Sequence, residues 1–93
     1  MRNLNTTYRP GPSQNRTFTA TSANAAAIDG HNFNVRLVAD QGCYVCFDGR
    51  AAVTTDMELV AGVPEYFSIQ GGAVISVIRK TADGTLNITE MTQ

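Results

Sequence analysis

Apolar and polar residues alternate along several short runs of this chain, and a period of two buries one face of a β-strand while leaving the other in water. Phe33, Val35, Leu37 and Ala39 fall on one side of such a run, with Asn34, Arg36 and Asp40 opposite. Cys43, Val45 and Phe47 then alternate with Tyr44, Cys46 and Asp48. Phe67 and Ile69 share a side with Glu65, while Tyr66 and Ser68 point away. Residues 73–78 are apolar on nearly both faces, which predicts a central strand covered on two sides. Leu86 and Ile88 alternate with Thr85, Asn87 and Thr89 in a closing strand, and residues 17–21 make a first strand with Phe18 as its inward anchor.

Glycine-containing turn signals separate these runs: Asp29-Gly30, Asp48-Gly49, Gly62-Val63-Pro64, Gly71-Gly72 and Asp83-Gly84. Glycine accepts a positive φ without steric cost, and Asp bonds its own backbone locally, so both suit tight turns. Short strands divided by such signals are the pattern of an all-β sandwich or barrel. Two stretches fit less well. Residues 22–28 are Ala-rich and allow one helical turn, too short to hold by itself. Residues 51–53 read as strand, and residues 54–59 as a loop with one apolar anchor.

Residues 1–14 carry Pro10-Gly11-Pro12 among Asn, Thr, Ser and Gln. Proline fixes its own φ and pushes the preceding residue toward extended conformations, so this segment reads as an extended N-terminal arm. The expected fold is therefore all-β: a small antiparallel β-sandwich over residues 15–93, with a jelly-roll-like connection of its strands as one form, preceded by the arm. A chain of 93 residues suits one domain with a modest core. No stretch approaches the roughly 18–20 apolar residues of a membrane helix, and polar residues follow Arg2 where a signal peptide has its apolar segment. Synthesis in the cytoplasm is the expectation.

Charge changes this picture more than its total of −1 suggests. No acidic residue precedes Asp29, and Arg2, Arg9 and Arg16 make that part basic; from Asp29 onward, eight acidic residues face four basic ones. Such asymmetry bears on association rather than on fold, because a basic arm is attracted to an acidic surface, including the body of a neighbouring copy. Arg2, Arg9, Pro10, Pro12 and Arg16 are the candidate partner-binding residues of the arm. The plainer reading is a solvated polar tail.

The Cys43-Tyr44-Val45-Cys46 spacing also occurs in redox and zinc sites. Within a strand, three residues at about 3.3 Å each separate the two Cα atoms by roughly 10 Å and put the thiols on opposite faces. A disulfide requires Cα atoms within about 7 Å, and zinc requires further ligands where the chain offers only His31. Two buried thiols are the expectation, with an intermolecular bond or a redox role as the alternative. His31 follows a turn and reads as a surface residue. With one His and no paired nucleophile and base, catalysis is not expected, and neither is a cofactor or a metal. Nucleic-acid binding expects a basic surface with interleaved aromatics; only Arg36, Arg79-Lys80 and the arm supply charge to an acidic body. The Asn-x-Thr triplets at Asn5, Asn15 and Asn87 carry no meaning without secretion.

The order of segments carries a resemblance of its own. Arg9-Pro10-Gly11-Pro12 leads to a Thr-rich strand, then Val35 to Val38, Cys43 to Phe47, Leu59 to Phe67, Val74 to Ile78 and Gly84 to Met91. From about residue 15 onward this is similar to small virion structural proteins of tailed bacteriophages, of the capsid decoration or cement type. Its most specific part is Gly62 to Phe67, followed by the Gly-Gly turn and the apolar strand. The resemblance implies a non-enzymatic protein on the capsid surface of a virion, bound to the assembled major capsid protein and to copies of itself as a dimer or trimer. Two alternatives stay open: a head–tail joining or tail-associated component, and a surface-displayed carbohydrate- or receptor-binding module. For the last, Tyr44 and Tyr66 are the candidate stacking residues, each with packing against neighbours as its plainer reading.

Overall fold

Eight strands form in the computed structural model, which describes residues 9–29 and 34–92. They are β1 (Arg9–Phe18), β2 (Ala23–Asn24), β3 (Asn34–Ala39), β4 (Cys43–Cys46), β5 (Met57–Leu59), β6 (Glu65–Ser68), β7 (Ser76–Arg79) and β8 (Gly84–Thr92). There is no helix among the described residues. Arg2, His31 and Phe33 lie outside them, as does the side chain of Arg9.

The strands make two antiparallel four-stranded sheets, ordered β1-β8-β3-β6 and β2-β7-β4-β5. The pairing is nested along the chain: the first strand pairs with the last, the second with the seventh, the third with the sixth, and the fourth with the fifth. Cross-pairs β3 with β8 and β4 with β7 join these four ribbons into the two sheets.

One core holds both sheets. Val35, Leu37 and Ala39 of β3, Cys43 and Val45 of β4, Val77 of β7, and Leu86 and Ile88 of β8 are buried together with Phe18, Ala25, Ile28, Leu59 and Ile75. In β3, β4 and β8 and at Phe18 these are the positions the alternation put inward, whereas Ala25, Ile28 and Leu59 enter the core from stretches that carry no such alternation. Phe47 and Phe67 close one end of the core, with ring centroids 5.2 Å apart and planes tilted by 52°.

Four expectations change on folding. The extended segment does not stand apart from Arg9 onward: it is the first half of β1, in register with β8, and the boundary expected after residue 14 falls inside that strand. Pro10 and Pro12 are tolerated because β1 is an edge strand and its register shifts between Pro10 and Ser13. The first strand accordingly runs 9–18 and ends at Phe18. Residues 22–28 make no helical turn. They run along β7, where the amides of Ala25 and Ile28 donate to Ile75 O and Ala73 O at 2.9 Å each, and sheet hydrogen bonds replace those of an unstable single turn. Residues 51–53 are not a strand, whereas 57–59 are, because Leu59 is the anchor that reaches the core opposite Cys43.

Gly49, Gly62 and Gly72 have positive φ, as their turn signals required. Gly84 does not, although it follows Asp83 in an apparent turn pair. It starts β8 opposite Phe18, where a Cβ would stand 2.7 Å from Phe18 Cζ and 2.5 Å from Asp40 Oδ1. Space, not backbone freedom, demands glycine there.

Candidate functional site

The strand orders give the molecule two lateral sides, one bounded by the edge strands β1 and β2 and the other by β6 and β5. The β1/β2 side is sewn shut by a side chain. Gln14 Nε2 donates to Ala26 O at 3.1 Å, and Ala26 N donates to Gln14 Oε1 at 2.9 Å. The primary amide thus does for the segment after β2 what a neighbouring strand would do. Arg79 N donates to Thr19 O at 3.0 Å and ties the end of β1 to β7.

The β5/β6 side carries exposed apolar residues. Met57, Val60, Val63 and Tyr66 belong to β5, β6 and the turn between them, whereas Val53, the other exposed large apolar residue among those described, follows Ala52, whose amide donates to Ser22 Oγ at 2.8 Å beside β2. Val60 and Val63 are brought together by a turn in which Val63 N donates to Val60 O at 3.2 Å, with Gly62 in the left-handed region at its third position. Gly62 N donates to Ala39 O at 2.7 Å and fastens this turn to the end of β3. The neighbouring charges are mostly acidic. Glu58 pairs with Lys80 at 2.7 Å, and Asp56 takes both terminal nitrogens of Arg50 and the amide of Val53. Those bonds hold the Asp56 carboxyl below its ordinary range, the Arg50 bond chief among them. Glu65 makes no ion pair with any described residue.

The outer face of the β1-β8-β3-β6 sheet is uncharged and polar over most of its width. The Ser13 and Thr89 hydroxyls lie 2.7 Å apart, Thr89 Oγ1 donates to Asn87 Oδ1 at 2.9 Å, and Asn87 Nδ2 donates to Asn15 Oδ1 at 2.9 Å. Farther across, Ser68 donates to Asn34 at 3.0 Å. Arg36 stands between Thr89 and Tyr66 in register, and Tyr66 is 64 % exposed. Beside this row a shallow groove of about 380 Å³ is lined by Val38, Asp40, Gly62, Thr85 and Asn87. A second hollow of about 430 Å³ lies at the Phe47 end, walled largely by the backbone of Gly49, Gly71 and Gly72.

The structure separates the residues singled out in the sequence. Pro10, Pro12 and Arg16 are exposed along β1. Tyr44 is half-buried on the outer face of the β2-β7-β4-β5 sheet, between Glu58 and Ile78, whereas Tyr66 lies on the outer face of the other sheet. The two tyrosines therefore do not form one site. Cys43 points into the core, and Cys46 is buried on the opposite face beside Ser76; both are free thiols. Burial, with Asp40 and Glu58 nearby, pushes the Cys43 thiol up to about 11, so it stays protonated at neutral pH. No group of three or more His, Cys, Asp or Glu that could hold a metal occurs among the described residues.

Gln14 and Ser76 matter here and carried no signal in the sequence, and the exposure of Met57, Val60 and Val63 carried none either. Gln14 reads in the sequence as part of a polar arm. Ser76, at 0 % exposure, sits inside an apolar run, yet its Oγ lies 2.6 Å from Arg50 O and 3.0 Å from Asn24 Oδ1, holding the 48–56 loop over Cys46. What the surface offers is contact: exposed apolar side chains within residues 53–66, an exposed Arg16 on β1, and a polar sheet face. Comparison with family models, characterised proteins and solved structures finds no match to this chain.

Proposed function

We propose that this chain is a non-enzymatic virion structural protein of a tailed bacteriophage, which decorates or cements the capsid by binding the assembled major-capsid lattice. The observation that carries the reading is that the exposed large apolar side chains among the described residues all fall within residues 53–66, four of them on β5, β6 and the turn between, which supports a contact surface rather than a reaction site. Two further points support it. The nested pairing of first with last strand inward to fourth with fifth supports reading the two sheets as a jelly-roll-like sandwich, an architecture widely used in viral capsids. That is a fold-level analogy. The segment from Gly62 to Phe67, the most specific part of the resemblance to decoration proteins, is also the segment that carries Val63 and Tyr66 outward.

A cement protein binds the assembled shell in preference to free subunits, so mass action deepens the assembled state. The test is to add the purified chain to undecorated capsids and to free capsid protein, then measure occupancy by co-sedimentation. Binding to capsids but not to free subunits, reduced by Val60→Asp, is the expected result. Equal occupancy by the variant, or no binding of the native chain to particles, overturns the proposal. Imaging the bound copies separates a place on the capsid from one at the head–tail joint or the tail.

The outer sheet face favours one second reading, a surface-displayed carbohydrate-binding module. Tyr66 and Arg36 stand side by side on a sheet face rich in amides and hydroxyls, next to the 380 Å³ groove. Loss of glycan-array binding in Tyr66→Ala, with Tyr44→Ala unchanged, supports this reading, and the absence of binding by the native chain ends it.

A further inference from the structure

Aspartate stands directly before glycine at three places in the chain, Asp29-Gly30, Asp48-Gly49 and Asp83-Gly84. The pair has a chemistry of its own. The main-chain nitrogen that follows an aspartate can reach that residue's side-chain carboxyl carbon, and where the next residue is glycine no Cβ hinders the approach. Whether the two atoms meet depends on whether the carboxyl and the intervening peptide are free to turn. Gly30 lies outside the described residues, and the structure holds the other two pairs in opposite ways.

Asp83-Gly84 is held at every joint. Arg79 Nη1 donates to Asp83 Oδ1 at 2.7 Å and holds the carboxyl. Gly84 starts β8 opposite Phe18 and is packed so closely that a Cβ would stand 2.5–2.9 Å from three neighbouring atoms. Thr85 is tied to Asp40 in both directions, its amide donating to Oδ1 at 2.7 Å and its carbonyl accepting from the Asp40 amide at 3.2 Å. The peptide between Asp83 and Gly84 therefore has no room to turn without undoing the start of β8.

Asp48-Gly49 carries none of these holds. Asp48, Gly49 and Arg50 are all exposed. The Asp48 carboxyl makes no ion pair or hydrogen bond with any described residue, and the nearby Arg50 guanidinium is taken up by Asp56. The Gly49 amide has no hydrogen-bond partner among the described residues either. Anchors stand on both sides of this peptide: Asp48 N donates to Cys46 Sγ at 3.4 Å, and Arg50 O lies 2.6 Å from Ser76 Oγ. Between them, a crankshaft turn about ψ of Asp48 and φ of Gly49 swings the peptide and leaves both anchors in place. Gly49 already has a φ of +80°, nothing lies within 4 Å of where its Cβ would be, and a hollow of about 430 Å³ opens beside both residues.

We infer that Asp48-Gly49 is a site of spontaneous main-chain isomerisation. Gly49 N attacks Cγ of Asp48 in its acid form; a C–N bond forms, the nitrogen gives up its proton, and the carboxyl's hydroxyl leaves with that proton as water. The product is a five-membered cyclic imide. Water then opens the ring at one of its two carbonyl carbons. Opening at the side-chain carbon restores Asp48, whereas opening at the main-chain carbon leaves a β-linked isoaspartyl residue, with its carboxylate on Cα and an extra carbon in the main chain. The water lost in closure is regained in opening, so the mass is unchanged and no enzyme, oxidant or cofactor takes part. The extra carbon enters where β4 passes into the 48–56 loop.

The test is to keep the folded full chain in neutral buffer for several weeks, beside a sample held unfolded in guanidinium chloride, and then to digest both with trypsin. Cleavage after Arg36, Arg50 and Lys80 puts Asp48 in the peptide 37–50 and Asp83 in 81–93, and electron-transfer fragmentation tells a β-linked residue from an ordinary one. In the folded chain, isoaspartate is expected at residue 48 at about tenfold or more the level at residue 83. In the unfolded chain the two sites should differ far less, because the fold no longer protects Asp83. Asp48→Glu would have to close a six-membered ring and should lose the signal at residue 48; the position is exposed, and an unchanged melting temperature shows that the variant still folds. No isoaspartate at residue 48 of the folded chain overturns the proposal, as does folded-state accumulation at residue 83 equal to that at residue 48.

Discussion

Replacing Gly84 by alanine adds one methyl group where three neighbours leave no room. The new Cβ would stand 2.5 Å from Asp40 Oδ1, 2.7 Å from Phe18 Cζ and 2.9 Å from Gln41 Cβ. Phe18 is 0 % exposed and walled in by the core, so its ring has nowhere to retreat. Asp40 is exposed, but its Oδ1 accepts the Thr85 amide at 2.7 Å, and swinging it away gives up that bond. Overpacking of this kind costs about 1–3 kcal/mol, and losing the Asp40 bond, discounted for exposure, adds about 1 kcal/mol. The opposing effect is the lower chain entropy of alanine in the unfolded state, about 0.5–1 kcal/mol in its favour. The steric effect wins, for a net loss of about 1–3.5 kcal/mol. In a domain of this size that lowers the melting temperature by roughly 5–25 °C, measured by circular dichroism on heating. A cycle with Phe18→Leu, which removes the Cζ atom, should show positive coupling, because the clash is partly relieved before the methyl group is added. A Gly84→Ala variant that melts at or above the native temperature would refute the reasoning and make this glycine an ordinary turn residue.

Other consequences can be checked in the same preparations. Ser76→Ala removes the hydroxyl that meets Arg50 O and Asn24 Oδ1, with an expected loss of about 0.5–1.5 kcal/mol and faster amide exchange in residues 48–56 than in β3. Native Cys43 and Cys46 should resist thiol reagents at pH 7 and react only on unfolding, since both are buried. Because Cys43 is raised from 9.0 to about 11, the unfolded chain ionises first, so stability should hold below pH 9 and fall between pH 9 and 11. That slope should flatten in Cys43→Ala. Deleting residues 1–14 removes the β1 pairing of Arg9, Pro10, Ser13 and Gln14 with β8 and should lower the melting temperature sharply. An unchanged melting temperature would contradict the placement of β1.

How far the residues announced the structure depends on whether local chemistry or a distant partner decided each feature. The alternation from Val35 to Ala39 and at Leu86 and Ile88 was legible because any strand with one dry face must repeat at two. The inward anchor Phe18 followed from the same rule, and Gly49, Gly62 and Gly72 from the need for positive φ. The opposite facing of Cys43 and Cys46 needed only strand geometry. The candidate surfaces were far less visible. Tyr44 and Tyr66 are alike in sequence, each outward in an alternating run, yet they sit on different sheets. Arg16 on β1 and Tyr66 on β6 lie on opposite edge strands of one sheet because of the strand order, which no local pattern encodes.

The residues alone determined an all-β chain, the inward positions of its main strands, the turns at Gly49, Gly62 and Gly72 and the basic-to-acidic division at Asp29. Tertiary structure alone decided that residues 9–14 pair with β8, that residues 22–28 lie along β7 rather than coil, that β5 starts at Met57, and that Gly84 is needed for space. The physical reason is the range of the deciding interactions. Alternation, positive φ and charge are properties of neighbouring residues, whereas the partners of Gln14, Ala25 and Gly84 come from parts of the chain far away in sequence and meet them only once both sheets have formed.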